Sequence, residues 1–286
     1  MKRLIFFVFT FLTLNLSAQQ YEVGLLLGVS TYQGDIAPST NRLDFNDLHP
    51  SVGIFGRYNI NPFITARANF SYGKVSATDA QAEDESRRAR NLSFESDIFE
   101  FGLIGEINIF GYDAEGLQKR FSPYVFGGIA VFHFNPKTTY EGQIVELQPL
   151  GTEGQGIDNF GERYKLTQFA IPMGAGIKIA VSERLNVGLE FGVRKTFTDY
   201  LDDISGNYVN YSELLHNNGE LSAALGNRTG EYLGTEPVDI PTGSQRGNSE
   251  VDDWYFISGV TISYNLIGNS GGFGRRGKDN FGCPKF

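Results

Sequence analysis

The chain has 286 residues, of which 35 are glycine and 14% are aromatic, and its formal net charge is −9. A net acidic chain lacks the basic face of a nucleic-acid-binding protein, and its single cysteine excludes a disulfide-stapled scaffold. The aromatic content argues against a disordered chain, and beyond residue 18 no apolar run is long enough for a membrane-spanning helix.

The first 18 residues have the composition of a secretory signal peptide. Lys2 and Arg3 form a basic start, residues 4–16 are mostly apolar, and Ser17 and Ala18 are small. This order predicts cleavage after Ala18 and export from the cytoplasm. An uncleaved helical anchor is the alternative, and it is disfavoured because the apolar run is short for a bilayer span.

Eight later segments alternate apolar and polar residues with a period of two, which is the pattern of β-strands. In one of them Leu185, Val187 and Leu189 share a face, while Asn186 and Glu190 lie on the other. A helix would scatter these residues around its axis. The eight predicted strands cover residues 21–32, 52–58, 64–73, 99–109, 123–134, 169–179, 185–196 and 254–266.

Short and long connections alternate strictly between these strands. Outer-membrane barrels combine short periplasmic turns with long extracellular loops in the same way. The short connections are about three residues around Asn61 and Pro62, residues 111–122 and residues 182–184, and the long polar ones are residues 33–50, 75–93, 135–167 and 199–253.

This pattern predicts an all-β fold, an eight-stranded antiparallel transmembrane β-barrel in the outer membrane that spans residues 19–267. An even number of strands places both termini on the short-turn side, in the periplasm. A soluble β-sandwich is the alternative, but it does not require aromatic residues at strand ends. The expected aromatic girdle consists of Tyr58, Phe63, Tyr72, Phe99, Phe134, Phe169, Phe197, Trp254 and Tyr264.

Charged residues recur at positions that this alternation turns toward the barrel interior. Side chains alone fill the interior of an eight-stranded barrel, and buried charges are costly unless they are paired. Balanced charges therefore predict an internal salt-bridge network that plugs the lumen, with a narrow ion path as the alternative. The residues are Glu22, Arg57, Arg67, Glu100, Glu106, Lys178, Glu190 and Arg194.

The sequence offers no recognisable motif for catalysis. His49, His133 and His216 have no second metal-type ligand at a usual spacing, and no GxSxG nucleophile motif occurs. His133, near a strand end, is the best candidate for a catalytic base, but a rim or packing role is favoured. We therefore expect a non-enzymatic protein without a cofactor or a metal centre.

Three acidic clusters lie in the long connections, at residues 79–85, 199–203 and 250–253. Their spacing matches no EF-hand loop. We interpret them as solvated loop surface, with binding of divalent cations as the alternative.

Two stretches go beyond a generic barrel. The first runs from YEVG at residues 21–24 to YQGDIAP at residues 32–38, and the second is GFGRRG at residues 272–277 with GCPKF at residues 282–286. With eight strands and a signal peptide, they resemble the PorG family of outer-membrane proteins, which belongs to the type IX secretion system of Bacteroidetes-type bacteria. The resemblance covers essentially the whole mature chain.

The resemblance implies a non-enzymatic accessory barrel of the secretion machine. Such a barrel lies in outer-membrane lipid beside the periplasmic PorK–PorN ring (GldK–GldN in gliding bacteria) and contacts the ring's lipoprotein PorK. The last strand also resembles an outer-membrane assembly signal. Here about twenty residues follow that strand, so Phe286 is not the terminal aromatic of the signal.

The tail, residues 268–286, is basic and glycine-rich, with only Asp279 opposing its four basic residues. Such a segment cannot bury a core but can order on a partner, and guanidinium groups bind carboxylates in a bidentate manner. The resemblance favours docking over a mobile terminus. The predicted docking residues are Arg275, Arg276, Lys278, Cys283 and Phe286.

Cys283 has no cysteine partner in its own chain. In an oxidising periplasm it forms an intermolecular disulfide or remains a free thiol. The sequence thus predicts an outer-membrane anchor for the secretion ring. The alternative is a stand-alone surface barrel, an adhesin or a narrow small-solute channel, whose function lies in residues 199–253, and an enzyme ranks third.

Overall fold

In a computed structural model of the protein, residues 20–36, 47–112 and 119–266 are described. Within them eight antiparallel strands close into a barrel, and all eight lie where the sequence predicts strands. The barrel strands are β1 (Gln20–Gln33), β2 (His49–Asn59), β3 (Ile64–Thr78), β4 (Ser93–Asn108), β5 (Phe121–His133), β8 (Thr167–Ala180), β9 (Leu185–Thr196) and β10 (Trp254–Leu266). A side hairpin and four short helices lie in the connections: β6 (Pro136–Tyr140), β7 (Gln143–Glu146), α1 (Glu85–Arg90), α2 (Tyr211–Asn217), α3 (Glu220–Gly226) and α4 (Thr229–Leu233).

The barrel closes through the pairing of β1 with β10. Their register runs from Tyr21 opposite Leu266 to Gln33 opposite Trp254. Gln20, at the start of β1, also lies opposite Asn59 at the end of β2. The chain therefore enters β1 and leaves β10 at the same rim, and this rim carries the short turns.

Polar side chains build these short turns. The Oδ1 atom of Asn61 accepts hydrogen bonds from the backbone N–H groups of Phe63 (2.8 Å) and Ile64 (2.9 Å). The Oγ atom of Ser182 does the same for the N–H groups of Arg184 and Leu185 at 3.3 and 3.1 Å. Such side-chain acceptors satisfy turn donors that no strand partner reaches.

The barrel wall has an apolar outer face and a polar inner face. On β4, Phe99, Phe101 and Leu103 are exposed, whereas Glu100 and Glu106 are completely buried. The same alternation holds along the other barrel strands, whose exposed residues are mainly Leu, Ile, Val and Phe. An apolar exterior around a polar interior is stable only in lipid. The protein is therefore a transmembrane β-barrel.

This polarity reverses where β3 and β4 continue past the apolar belt. There Val75, Phe94 and Ile98 are buried on the inner side, and Lys74 and Glu95 form an ion pair of 2.7 Å on the outer side. The hairpin continues as a water-exposed sheet, so the predicted loop at residues 75–93 is too long. The actual connection is residues 79–92, because an alternating pattern of reversed polarity still forms strands.

The long connections fold into a cap over this end of the barrel. Its buried apolar side chains form one cluster with the upper interior of the barrel, so loops and barrel share a core. The cluster includes Tyr32, Ile36, Val75, Leu92, Phe94, Ile98, Phe132, Phe134, Leu147, Leu201, Ile204, Leu225 and Tyr255.

The aromatic girdle is present with one exception. Phe63, Phe99, Phe169, Phe197 and Tyr264 are exposed on the outer face. Phe134 is wrong as a girdle residue: it is fully buried in the cap and stacks on Phe132 with ring centroids 5.5 Å apart. It follows β5 on the inward parity, which the apolar composition of both faces of β5 obscures in the sequence. None of the helices in the described part of the chain is long and apolar enough to cross a membrane.

Candidate functional site: a sealed barrel interior and its cap

The structure brings the eight charged residues predicted for the lumen together inside the barrel. Six of the eight barrel strands contribute at least one of them, and β4 and β9 contribute two each. None is more than 4% exposed. They are Glu22 on β1, Arg57 on β2, Arg67 on β3, Glu100 and Glu106 on β4, Lys178 on β8, and Glu190 and Arg194 on β9.

Glu106 is the centre of the larger of two ion-pair clusters. Its carboxylate lies 2.8 Å from Arg57 Nε, 3.0 Å from Lys178 Nζ and 3.2 Å from Arg67 Nη1. Three cations around one carboxylate need further anions nearby. Glu22 lies 3.5 Å from Arg57 Nη1, so the cluster continues across the barrel.

Glu190 completes this cluster on the opposite wall. Arg67 donates to both of its carboxylate oxygens, at 2.5 and 3.1 Å. The hydroxyl of Tyr124 donates to the same carboxylate at 2.8 Å. Bidentate guanidinium–carboxylate pairs of this kind are among the strongest polar contacts in proteins.

A second cluster lies nearer the cap. Arg194 Nε donates to Glu100 at 2.9 Å, and the hydroxyl of Tyr255 donates to the same Oε2 atom at 2.8 Å. The amide of Asn69 donates to the other oxygen at 3.1 Å. Glu100 is therefore saturated by one cation and two neutral donors.

Aromatic rings fill the space beside the cations. The guanidinium of Arg57 lies 4.4 Å from the ring centroid of Phe55, and that of Arg67 lies 5.0 Å from Phe126. Lys178 Nζ lies 4.9 Å from the rings of both Tyr112 and Tyr124. These contacts add cation–π attraction to the ion pairs.

Little space remains in this part of the interior. The residual cavity between Phe55, Arg67, Glu190 and Arg194 has a volume of about 10 Å³, which is roughly the room for one water molecule. Ion pairs and rings packed this closely leave no room for a hydrated ion or a solute at this level of the lumen. The charged interior thus closes the barrel.

Parity in the sequence could have identified the polar partners that the sequence analysis missed. Tyr124, Tyr255 and Asn69 all occupy inward positions of their strands, although only the strand of Asn69 also carries a charged lumen residue. A buried tyrosine or asparagine needs a hydrogen-bond partner. An inward tyrosine beside predicted inward carboxylates is therefore the signal.

The cap carries its own buried ion pairs. Arg90 on α1 donates to both carboxylate oxygens of Asp79, at 2.7 and 2.8 Å, and to the carbonyl of Arg246 at 2.6 Å. Arg246 in turn pairs with Glu153 at 2.9 Å. These contacts tie the β3–β4, β7–β8 and β9–β10 connections to one another.

The interpretation of the acidic clusters as solvated loop surface is wrong for Asp79, for Asp253 and for the cluster at 199–203, whereas the other acids at 83–85 and Glu250 are exposed as expected. Asp79 and Asp253 are fully buried, and Asp202 and Asp203 are only 1% exposed. Asp203 accepts hydrogen bonds of 2.6 Å from the hydroxyls of Thr152 and Tyr164. Burial raises the pKa of Asp203 to about 6. These acids lie in the core of the cap, where apolar neighbours shield them from water.

Among the described residues, no group of three or more His, Cys, Asp or Glu side chains is arranged to hold a metal ion. His133, the candidate base, lies at the end of β5 with its Nδ1 atom 3.1 Å from the hydroxyl of Thr167 in an exposed position. This is a rim contact.

The signal peptide and the tail, residues 268–286, fall outside the described residues. So do the predicted docking residues Arg275, Arg276, Lys278, Cys283 and Phe286. The structure does show where the tail begins, because β10 ends at the short-turn rim.

Solved structures of other barrels resemble this fold at low sequence identity. Ail of Yersinia pestis, in complex with the heparin analogue sucrose octasulfate, is 7% identical, with a TM-score of 0.41 over 87% of this chain and 99% of Ail. Neisserial surface protein A is 8% identical, with a TM-score of 0.39 over 87% of this chain and 97% of its own. OprG from Pseudomonas aeruginosa is 9% identical, with a TM-score of 0.38 over 86% and 96%.

No curated protein matches the sequence. A family model does: the one described as a domain of unknown function, DUF6089, matches residues 2–223. This match spans more than three quarters of the chain and runs from the amino-terminal segment through β9 into the helices of the cap. The chain therefore belongs to the DUF6089 family.

Proposed function

We propose that this protein is a non-enzymatic outer-membrane component of a type IX protein secretion machine. In this proposal the barrel anchors the periplasmic PorK–PorN ring (GldK–GldN in gliding bacteria) at the outer membrane. The short-turn rim and both termini face the periplasm, and the cap faces outward. The choice of machine rests on the resemblance of residues 21–38 and 272–286 to the PorG family.

The sealed interior is the observation that supports an anchoring role. A barrel filled by ion pairs around Glu106 and Glu100 and covered by a folded cap offers no path for a transported protein or a solute. Its function then lies on its outer surfaces. The exported protein passes elsewhere in the machine.

The charge of the tail supports the short-turn rim as the docking side. Residues 268–286 carry a net charge of +3, from Arg275, Arg276, Lys278 and Lys285 against Asp279, while the chain as a whole is at −9. Since β10 ends at the short-turn rim, this basic segment leaves the barrel there. We propose that Arg275 and Arg276 bind carboxylates of the ring lipoprotein, and that Cys283 contacts it or forms a disulfide with it.

The first experiment is cross-linking in intact cells, followed by mild detergent extraction and mass spectrometry of proteins captured with this one. We expect cross-links from residues 275–286 or from the short turns to a ring lipoprotein. If the barrel is recovered alone while the rings stay intact, the proposal is wrong.

Substitution of the tail arginines tests the charge argument. Arg275→Gln with Arg276→Gln should reduce ring capture and secretion at least several-fold, because two charge-assisted contacts are lost. The matched control is Arg163→Gln with Lys165→Gln, which removes two charges from exposed positions at the opposite, long-loop end. Equal loss of secretion in both variants would contradict docking through the tail.

Cys283→Ser should remove any slower band on a non-reducing gel.

A stand-alone surface barrel is the second candidate, and one observation favours it. An open cleft of about 1060 Å³ lies beside the cap, lined by Asp35, Arg87, Arg90 and Trp254 among others. Deletion of residues 268–286 separates the two functions. It should abolish secretion in the first case and leave surface adhesion intact in the second.

A further inference from the structure

The longest connection, residues 197–253, begins and ends at one buried hydroxyl group. The Oη atom of Tyr32, near the end of β1, lies 2.6 Å from Oδ2 of Asp202 and 3.0 Å from Oδ1 of Asp253. Asp202 lies near the start of this connection, and Asp253 is its last residue. One side chain of β1 thus holds both ends of the loop that forms most of the cap.

The remaining carboxylate oxygens accept backbone hydrogen bonds. Oδ1 of Asp202 accepts from the N–H of Ile204, and Oδ2 of Asp253 accepts from the N–H of Leu201, both at 2.9 Å. Gly34 packs directly against the group: a Cβ atom there would lie 1.9 Å from Asp253 Oδ1 and 2.0 Å from Tyr32 Oη. The space beside the hydroxyl is therefore filled by protein.

Counting hydrogens shows that the hydroxyl of Tyr32 alone cannot satisfy both carboxylates. A tyrosine hydroxyl donates one hydrogen, and ionised carboxylates only accept. Tyr32 can satisfy one of the two aspartates in this way. The second contact is a hydrogen bond only if that aspartate is protonated and donates to Tyr32 Oη.

The charged groups around the pair favour the extra proton. Asp35, after β1, and Asp199, from the same connection, are further carboxyl groups facing the pair. Burial raises the pKa of Asp35 above its ordinary value and that of Asp199 to about 9, so the whole group of acids resists ionisation. Arg90 on α1 is the facing cation, but its guanidinium binds Asp79 and the carbonyls of Asp35 and Arg246. In the part of the chain that the structure describes, no cationic nitrogen lies within 4.0 Å of either aspartate. The nearby guanidinium of Arg246 is occupied elsewhere, because it pairs with Glu153 and donates to the backbone carbonyl of Asp203.

The acid–base balance agrees with this count. Burial, together with the carboxylate of Asp35, raises the pKa of Asp202 to about 8. Burial, together with Asp202 and Asp199, raises the pKa of Asp253 well above its ordinary value. The pair titrates as a unit, so the shared proton belongs to both groups.

We propose that Tyr32, Asp202 and Asp253 form a proton-sharing latch that fastens both ends of the longest loop to β1 and makes the cap pH-responsive. When the latch loses its proton to bulk water, two buried carboxylates face each other across one hydroxyl. Their repulsion and their need for hydration then favour release of the loop from the barrel mouth.

The direction of the pH effect follows from linkage. Asp202 keeps its proton up to about pH 8 in the closed cap, but only up to about pH 4 when it is hydrated. This proton therefore stabilises the closed state most strongly at low pH. As pH rises between these values, the closed-to-open ratio falls about tenfold per pH unit for this proton, and above pH 8 it levels off.

Protease cleavage after Arg246, which is only 5% exposed, reports opening in the full-length protein in detergent. Wild type and variants are compared at each pH, so that changes in protease activity cancel. In wild type, this proton should make cleavage about tenfold faster per pH unit between pH 6 and 8. Asp202→Asn retains a donor toward Tyr32 but has no such proton to lose, so we expect its cleavage rate to lack this tenfold rise per pH unit. Emission of Trp254, the single tryptophan of the chain and the neighbour of Asp253, is the protease-free readout.

Asp252→Asn is the matched control, because it makes the same change one residue from the latch. It should keep the wild-type pH slope. An unchanged slope in Asp202→Asn, or an equal loss in both variants, would overturn the latch.

Tyr32→Phe keeps the test decisive if Asp202→Asn does not fold. Without the bridging hydroxyl, the two aspartates lose their shared partner. Cleavage at pH 6 should then be at least tenfold faster than in wild type. Wild-type cleavage at pH 6 in a folded Tyr32→Phe barrel would also overturn the proposal.

Discussion

Glu106 shows how a single residue stabilises the barrel interior. It is fully buried, and its two oxygens face Arg57, Arg67 and Lys178 within 3.2 Å. Buried ion pairs are not strongly stabilising in total, because desolvation offsets much of the attraction. Removing one partner is costly, however, because it leaves an uncompensated buried charge.

Glu106→Gln should therefore destabilise the barrel by about 3–5 kcal/mol. The amide leaves three cations with one carboxylate fewer, and the cations cannot reach water. Urea unfolding in detergent micelles measures the free energy. Glu183→Gln, in the exposed turn between β8 and β9, is the control and should change stability by less than about 0.5 kcal/mol. Similar losses in the two variants would show that Glu106 does not hold the network together.

The pairing of β1 with β10 depends on glycine where the two backbones approach most closely. Gly28 lies directly opposite Gly259. A Cβ atom on Gly28 would lie 2.0 Å from the carbonyl oxygen of Ser258, and one on Gly259 would lie 2.4 Å from that of Leu27. Closure of the barrel therefore requires a side-chain-free position on both strands at this point.

Gly28→Ala should destabilise the folded barrel by about 1–3 kcal/mol or prevent closure, because the added methyl group overlaps the backbone of β10. Gly56→Ala is a matched control on β2, where the nearest atom to the added Cβ lies 3.9 Å away. The fraction of protein that migrates as a folded barrel on unheated gels measures the effect. Equal folding of both variants would contradict the role of Gly28 in closure.

At the scale of the whole molecule, the protein has three levels along the barrel axis. The short-turn rim lies at one end, the ion-pair interior lies within the apolar belt, and the cap, whose apolar core is shared with the upper barrel, lies at the other end. The ion pairs fill the lumen within the belt, and the cap covers its long-loop end. An ion would have to pass both.

The barrel should conduct no current above the baseline of a planar lipid bilayer. Removal of residues 208–244, whose flanking residues Asn207 and Gln245 already pair, should leave the conductance at baseline because the ion pairs still fill the lumen. Arg67→Ala with Glu190→Ala in the same deletion variant empties part of the interior beneath the shortened cap, and this combination is the positive control. Channel openings in wild type would contradict a sealed barrel.

The sequence alone determines the barrel and the composition of its interior. A period of two is a local property of each strand, and lipid outside and charge inside distinguish the two faces of every strand except β5, both of whose faces are apolar. For this reason the eight strands and the inward positions of residues such as Glu106 and Arg194 can be read without coordinates.

Only the tertiary structure decides which charges meet and what the long loops do. Arg67 and Glu190 are 123 residues apart in the chain, and closure of the barrel brings them together. The cap escapes sequence analysis because its helices are five to seven residues long and its core is shared with the barrel. Asp202 and Asp253 look like solvated loop acids until the fold brings both against Tyr32, since burial is a property of the folded chain and not of local composition.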